Sequence, residues 1–135
     1  MVLNAATLGS LAAVQAIDAK EFARLLTLNI AAPQALIAAF DSMLRASSDA
    51  RVVALTSSVG TTPRAYWGAY AASKAALEAM ANSYKEEVAN TNISVKLFNP
   101  GSVATKMWAA SHPGQDQSKL TQPKDVAAQI VDLLD

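Results

Sequence analysis

The apolar positions of this chain fall into two periodicities. From about Lys20 to Arg45, residues Phe22, Leu25, Leu26, Ile30, Leu36, Ile37, Phe40 and Leu44 recur at helical spacing, which predicts a long amphipathic helix. Pro33 lies inside that pattern and has no N–H for the carbonyl of Asn29, so a kink or local break is expected there. Residues 51–56 (RVVALT) form a short β-branched run without alternation, as in a central parallel strand covered on both faces. A second helix is predicted over 69–89, rich in small residues, and a second clear strand over 93–98 (ISVKLF), broken by Asn99-Pro100-Gly101. Residues 1–4 read as the end of a further buried strand. Pro123 fits the first turn of a last helix carrying Val126, Ile130, Leu133 and Leu134. Residues 4–19 read as loop or weak helix, and 57–68 and 106–120 as loops.

Strands alternating with long helices predict an α/β fold with a parallel sheet. Only three strands are found, at about 1–4, 51–56 and 93–98, where a doubly wound sheet normally has five or more. The expectation is an incomplete, Rossmann-like doubly wound sheet forming one partial domain over 1–135. The five glycines stand at 9, 60, 68, 101 and 114, so no Gly-x-Gly-x-x-Gly phosphate cradle occurs.

Composition narrows the function. Apolar residues make up 52% of the chain and the formal net charge is zero, which gives no basic excess to attract nucleic acid. The absence of cysteine removes disulfides and thiolate metal sites, and the lone His112 removes a multi-histidine metal site within one chain. The N-terminal stretch lacks the basic region of a signal peptide, and no window approaches 18 uncharged apolar residues, so a cytoplasmic protein without a membrane span is expected.

The informative chemistry is Tyr70-Ala71-Ala72-Ser73-Lys74, which sets a phenol and an ammonium four residues apart on one helical face. A phenol titrates near pKa ~10, and a neighbouring ammonium favours the phenolate, making it a usable acid or base. Such pairs alone are common on solvated helices. Here Ser57 ends a predicted strand thirteen residues earlier, Asn99-Pro100-Gly101 closes the next strand at the same edge, and Asn4 closes the first. In open α/β sheets ligands bind beyond the carboxyl ends of the strands.

At these residues the chain resembles the short-chain dehydrogenase/reductase family. The family's Tyr-x-x-x-Lys matches Tyr70 and Lys74, its serine best matches Ser57 (three before Gly60), its helix asparagine matches Asn29, and its post-strand Pro-Gly with a downstream threonine matches Pro100, Gly101 and Thr105. The family's Asn-Asn-Ala-Gly survives only as Asn4-Ala5-Ala6, with Leu3 and Ala6 departing from it. The resemblance implies an oxidoreductase interconverting an alcohol and a carbonyl with NAD or NADP. Tyr70 would exchange the proton on the substrate oxygen, and Lys74 would lower the pKa of Tyr70 and bond the nicotinamide ribose. Ser57 would hold the substrate oxygen, and Asn29 a water in a proton relay. Pro33, by leaving the Asn29 carbonyl without its helical donor, would help to build that relay. Pro100, Gly101, Val103 and Thr105 would flank the nicotinamide, and Asn4 would also face the cofactor.

Tyr66, Trp67, Met107 and Trp108 are further substrate candidates, whereas His112, beside Pro113-Gly114, reads as a surface loop residue. The resemblance also implies a homo-oligomer pairing helices 20–46 and 69–89. Two alternatives stand beside the enzyme: an inactive fragment, and a helix-mediated assembly module pairing with a full-length relative. Loss of a strand beside residues 1–4 would leave an open edge, so weak or no cofactor binding by the isolated chain is expected.

Overall fold

The structure is a computed structural model that describes all 135 residues. Three parallel strands, β1 (Val2–Leu3), β2 (Ala50–Leu55) and β3 (Ile93–Phe98), lie in the order β1-β2-β3. Val2 pairs with Val53, and β2 runs in register with β3 from Ala50–Ile93 to Leu55–Phe98. The α/β class and the three-stranded parallel sheet agree with the sequence expectation. The first strand is shorter than expected, because only two of its residues pair with β2.

The first long helix comes in three pieces: α1 (Ala19–Leu26), a wide π turn (Thr27–Ala31) and α2 (Ala32–Ala46). It begins one residue earlier than predicted because Asp18 caps it, its carboxylate accepting from Glu21 N–H at 2.8 Å. The expected break at Pro33 takes the form of the π turn just before it. The widened turn lets Ala32 N–H donate to Thr27 C=O, and the helix continues with Pro33 in the first turn of α2. Taken as one, helix Ala19–Ala46 is long and apolar enough to cross a membrane by length and composition alone. The expectation that no stretch approaches this measure is thus corrected. Its buried residues Leu25, Asn29 and Pro33 lie four apart, on a single edge of the helix.

Two short helices were unforeseen in the sequence, α3 (Ser58–Thr61) and α5 (Lys106–Ser111). The second has a readable cap, since Thr105 Oγ1 accepts from Trp108 N–H at 3.1 Å. Between them stands α4 (Gly68–Glu87), and α6 (Pro123–Asp132) ends the chain.

The core forms where α2 and α4 cover one face of the sheet. Leu3, Ala50, Val52, Ala54, Ile93 and Val95 meet Ala81, Tyr84 and Val88, with Ile37 and Leu44 packed against them. The alternate residues of β2 and β3 face α6, and two of them grip its end: Lys96 Nζ donates to Leu133 C=O at 2.9 Å, and Arg51 Nη2 to Asp135 C=O at 3.2 Å. The far edge of β1 is unpaired, and Val2 there is 37% exposed.

A polar bond joins the two covering helices. Tyr84 Oη donates to Asp41 Oδ1 at 2.9 Å, while Arg45 Nε donates to Asp41 Oδ2 at 2.8 Å. The Arg45 bond, helped by that of Tyr84, lowers the Asp41 carboxyl below its ordinary 3.8, and burial with the Asp41 bond pushes the Tyr84 phenol up to about 12. The depressed carboxylate stabilises the fold above pH ~4 and this is lost on acidification. The raised phenol stabilises it below pH ~10, and this is lost as pH climbs towards about 12. Tyr84→Phe is therefore expected to lower Tm at neutral pH and to flatten the fall in Tm at the alkaline end, as followed by circular dichroism melts across pH.

Candidate active site

All three strands end at one edge of the sheet. Asn4 follows β1, Thr56 and Ser57 follow β2, with Thr56 N–H still bonded to Phe98 C=O at 2.8 Å, and Asn99-Pro100-Gly101 follow β3. Gly101 has φ 72°, a left-handed turn stabilised by its N–H donating to Asn99 Oδ1 at 3.0 Å. A cavity of about 830 Å³ opens over this edge. Asn4, Ser57, Tyr70, Lys74, Pro100, Gly101, Val103, Thr105, Trp67, Met107 and Trp108 all line it. Two residues singled out in the sequence do not.

The first is Tyr66, which is 65% exposed, has φ 69° and does not line the cavity. It sits in the turn before α4, where its carbonyl accepts from Ala12 N–H at 3.0 Å. The expectation that it faces substrate together with Trp67 is corrected. The second is Asn29, buried behind the cavity in the π turn at 1% exposure. Its Oδ1 accepts from Thr7 N–H at 2.8 Å, and its Nδ2 donates to Thr7 C=O and to Ser73 Oγ, both at 2.9 Å. Ser73 Oγ in turn donates to Tyr70 C=O at 2.8 Å. The Asn29 amide thus ties the loop after β1 to the first turn of α4.

Tyr70 and Lys74 enter the site from the start of α4, at 8% and 4% exposure. Helix α4 comes this close to the end of β2 because α3 rests on its backbone. A Cβ on Gly60 would stand 3.0 Å from Ala75 N and 3.1 Å from the Lys74 carbonyl carbon, so any larger residue would have to push the α4 backbone back by a few tenths of an ångström. Leu8, Val59 and Ala71 pack with Tyr70, and Trp67 and Met107 close over them.

Lys74 Nζ donates to Leu55 C=O at 2.9 Å and lies 5.8 Å from the Tyr70 ring centroid. Burial lowers its pKa, partly offset by Glu78. Burial raises that of the Tyr70 phenol, and the Ser57 side chain works against the rise. The expected lowering of Tyr70 by Lys74 is therefore not what this geometry gives: the ammonium is turned to a carbonyl, and the group favouring phenolate is Ser57.

Val103 forms a parallel bridge with Thr121. That bridge uses Ser102 C=O and Ala104 N–H, so the main-chain N–H and C=O of Val103 itself point the other way, away from Thr121. Thr105 Oγ1 accepts as the cap of α5 and keeps its own proton to donate.

Among the cavity residues that sequence reasoning missed, two carry titratable side chains. Arg64 lines the wall, and so does His112, half-buried and not a surface loop residue. Its ring stacks on Trp108 at 4.1 Å with planes 9° apart, and its Nδ1 lies 2.8 Å from Ser111 Oγ. Their spacing of four across α5 was a usable signal once Thr105 is read as a helix cap.

With this geometry in place, the comparisons are direct. The family model for short chain dehydrogenase matches residues 1–116. The chain belongs to the short-chain dehydrogenase/reductase family of oxidoreductases. It is 34% identical over 123 residues to the uncharacterized oxidoreductase YciK of Escherichia coli (strain K12), a match covering 91% of this chain and 48% of that protein. It is 40% identical over 65 residues to the chloroplastic NADPH-dependent aldehyde reductase 2 of Arabidopsis thaliana, covering 48% of this chain and 24% of that one. A short chain dehydrogenase from Salmonella enterica serovar Typhi superposes with TM-score 0.93 at 34% identity, covering 97% of this chain and 54% of that structure. One from Escherichia coli CFT073, complexed with NADPH, gives TM-score 0.93 at 33% identity, covering 98% and 55%. The chain spans about half the length of these proteins, apart from the shorter match to the plant reductase.

Gly60→Ala is expected to push α3 off α4, costing about 1–3 kcal/mol of stability as overpacking does. Urea denaturation measures the loss, and a Gly60→Ala protein as stable as the parent would contradict the close approach.

Proposed function

We propose that this chain carries the proton-transfer machinery of an NAD(P)-dependent oxidoreductase interconverting an alcohol and a carbonyl. The observation that carries the reading is the convergence of Ser57, Tyr70 and Lys74 on one cavity at the carboxyl edge of the sheet. The residues suit the nicotinamide end of the cofactor. Val103 offers an outward N–H and C=O to a carboxamide, Thr105 a hydroxyl proton, and Pro100 and Gly101 a flat wall. Lys74, with one of three donors spent on Leu55 C=O, keeps two for ribose hydroxyls, and Asn4 stands across the cavity. When bound, the nicotinamide supplies or accepts the hydride.

The protein's own part follows from its side chains. The Ser57 hydroxyl holds the substrate oxygen next to the Tyr70 phenol. Burial keeps the phenol protonated, so Tyr70 donates its proton to the oxygen of a carbonyl undergoing reduction. In the opposite direction the phenolate accepts it from an alcohol, favoured by the Ser57 side chain. Asn29 serves as a positioning residue, setting Tyr70 through Ser73 and the strand-end loop through Thr7. A water relayed to Lys74 from the Asn29 carbonyl, freed by Pro33, is compatible with this placement.

Tyr70→Phe is expected to lower carbonyl reduction by NADPH at least ~100-fold, the usual worth of a positioned acid. NADPH affinity, followed by calorimetric titration of the same protein, is expected to change little. Full turnover in Tyr70→Phe would refute the assignment.

A second reading is favoured by the outer face of helix 19–46. Leu28, Leu36, Phe40 and Met43 share that face, and they are 37%, 41%, 42% and 65% exposed. We propose that this stripe pairs with the same helix of a second copy or of a full-length relative. Phe40→Asp is expected to shift the mass measured by light scattering to that of a monomer, whereas a parent protein that is already monomeric would refute pairing between copies.

A further inference from the structure

We propose that the cavity is built for a planar aromatic carbonyl compound or the corresponding aryl alcohol, with His112 as a specificity-determining residue; this rests on the reductase reading above. Three observations lead there. Trp67, Trp108 and His112 line the same cavity as Tyr70 and Ser57. Their rings form one continuous wall: Trp67 meets Tyr70 edge-on at 6.2 Å, His112 lies 5.9 Å from Trp67, and Trp108 stacks on His112 at 4.1 Å. All three wall rings remain half-buried, so each keeps surface for a ligand that packing alone would have covered.

The wall is fixed rather than pliant. Trp108 Nε1 donates to Gln115 Oε1 at 3.0 Å, and Ser111 Oγ holds His112 Nδ1 at 2.8 Å. Both rings therefore reach a ligand with orientation already set, which favours a flat ring over a flexible alkyl chain. Because the wall ends on Tyr70 at Trp67, a carbonyl borne directly on an aromatic ring held there lies beside the phenol. The charged groups on the cavity wall are Arg64 and Lys74, with no carboxylate among them, so a cationic substrate finds no counter-charge.

The test compares benzaldehyde with cyclohexanecarbaldehyde, a flat ring against a puckered one of equal carbon count. Reduction by NADPH adds a hydride to the carbonyl carbon and a proton to its oxygen, giving the alcohol and NADP. The ratio of kcat/KM, benzaldehyde over cyclohexanecarbaldehyde, is expected to fall about 2–10-fold in His112→Leu and in Trp108→Leu, the worth of an aromatic contact. Comparing ratios between proteins removes the intrinsic reactivity of each aldehyde. An unchanged ratio in both variants overturns the proposal and leaves the reductase reading standing. If neither aldehyde is turned over, as weak cofactor binding by the isolated chain would produce, binding decides the proposal. Saturation-transfer NMR of the two aldehydes on the parent protein and on His112→Leu then supports it if benzaldehyde binds preferentially to the parent alone. Equal binding of both, or binding of neither, overturns it.

Discussion

Lys74 is 4% exposed, and within the protein its ammonium bonds to the carbonyl of Leu55, at 2.9 Å. Burying that charge is unfavourable, and the carbonyl that meets it is the last of β2. Helix α4 brings the ammonium there with α3 lying close on its backbone and a glycine at the contact, where a Cβ would stand 3.0 Å from Ala75 N. The position of Tyr70, one turn earlier on the same face, follows from that contact. Ser57 comes near the phenol because it stands at the N-cap position of α3, two residues past the end of β2.

From this anchor the polar network spreads away from the cavity. Ser73 links Tyr70 C=O to the amide of Asn29, and Asn29 holds both main-chain groups of Thr7. One buried amide thus coordinates the loop after β1, the π turn of the first long helix and the start of α4. Such a network specifies a single arrangement because each unpaired member would cost a buried hydrogen bond. The π turn is part of the same device, since it places a fully buried amide in a helix that also carries the exposed apolar residues Leu28, Leu36 and Phe40.

The two faces of the sheet are treated differently. One is closed by α2 and α4, with Val52 and Ala81 at 1% exposure and Ala54 at 0%. The other is covered by α6 and leads into the cavity, and β1 keeps an unpaired edge. The groups suited to a nicotinamide and a carbonyl gather at the carboxyl edge, whereas a glycine-rich phosphate turn is absent from the sequence. The Ser57, Tyr70 and Lys74 side chains thus gather at one edge of the sheet, in a sequence that holds no Gly-x-Gly-x-x-Gly.

The sequence by itself determined the α/β class, the three strands, the two long helices and the spacing of Ser57, Tyr70 and Lys74. These depend on local periodicity and on residue offsets, which a linear chain displays directly. It did not show that Pro33 would be absorbed by a π turn, nor that Asp18 would cap the first long helix and Thr105 a short α5. Tertiary structure decided which neighbour faces the cavity: Trp67 lines it while Tyr66, adjacent and equally aromatic, takes φ 69° and turns outward. It also decided that Lys74 addresses a carbonyl rather than the phenol, and that His112 joins the wall. Those outcomes depend on contacts between segments far apart in the chain, where burial and hydrogen-bond geometry, not spacing, select the orientation of each side chain.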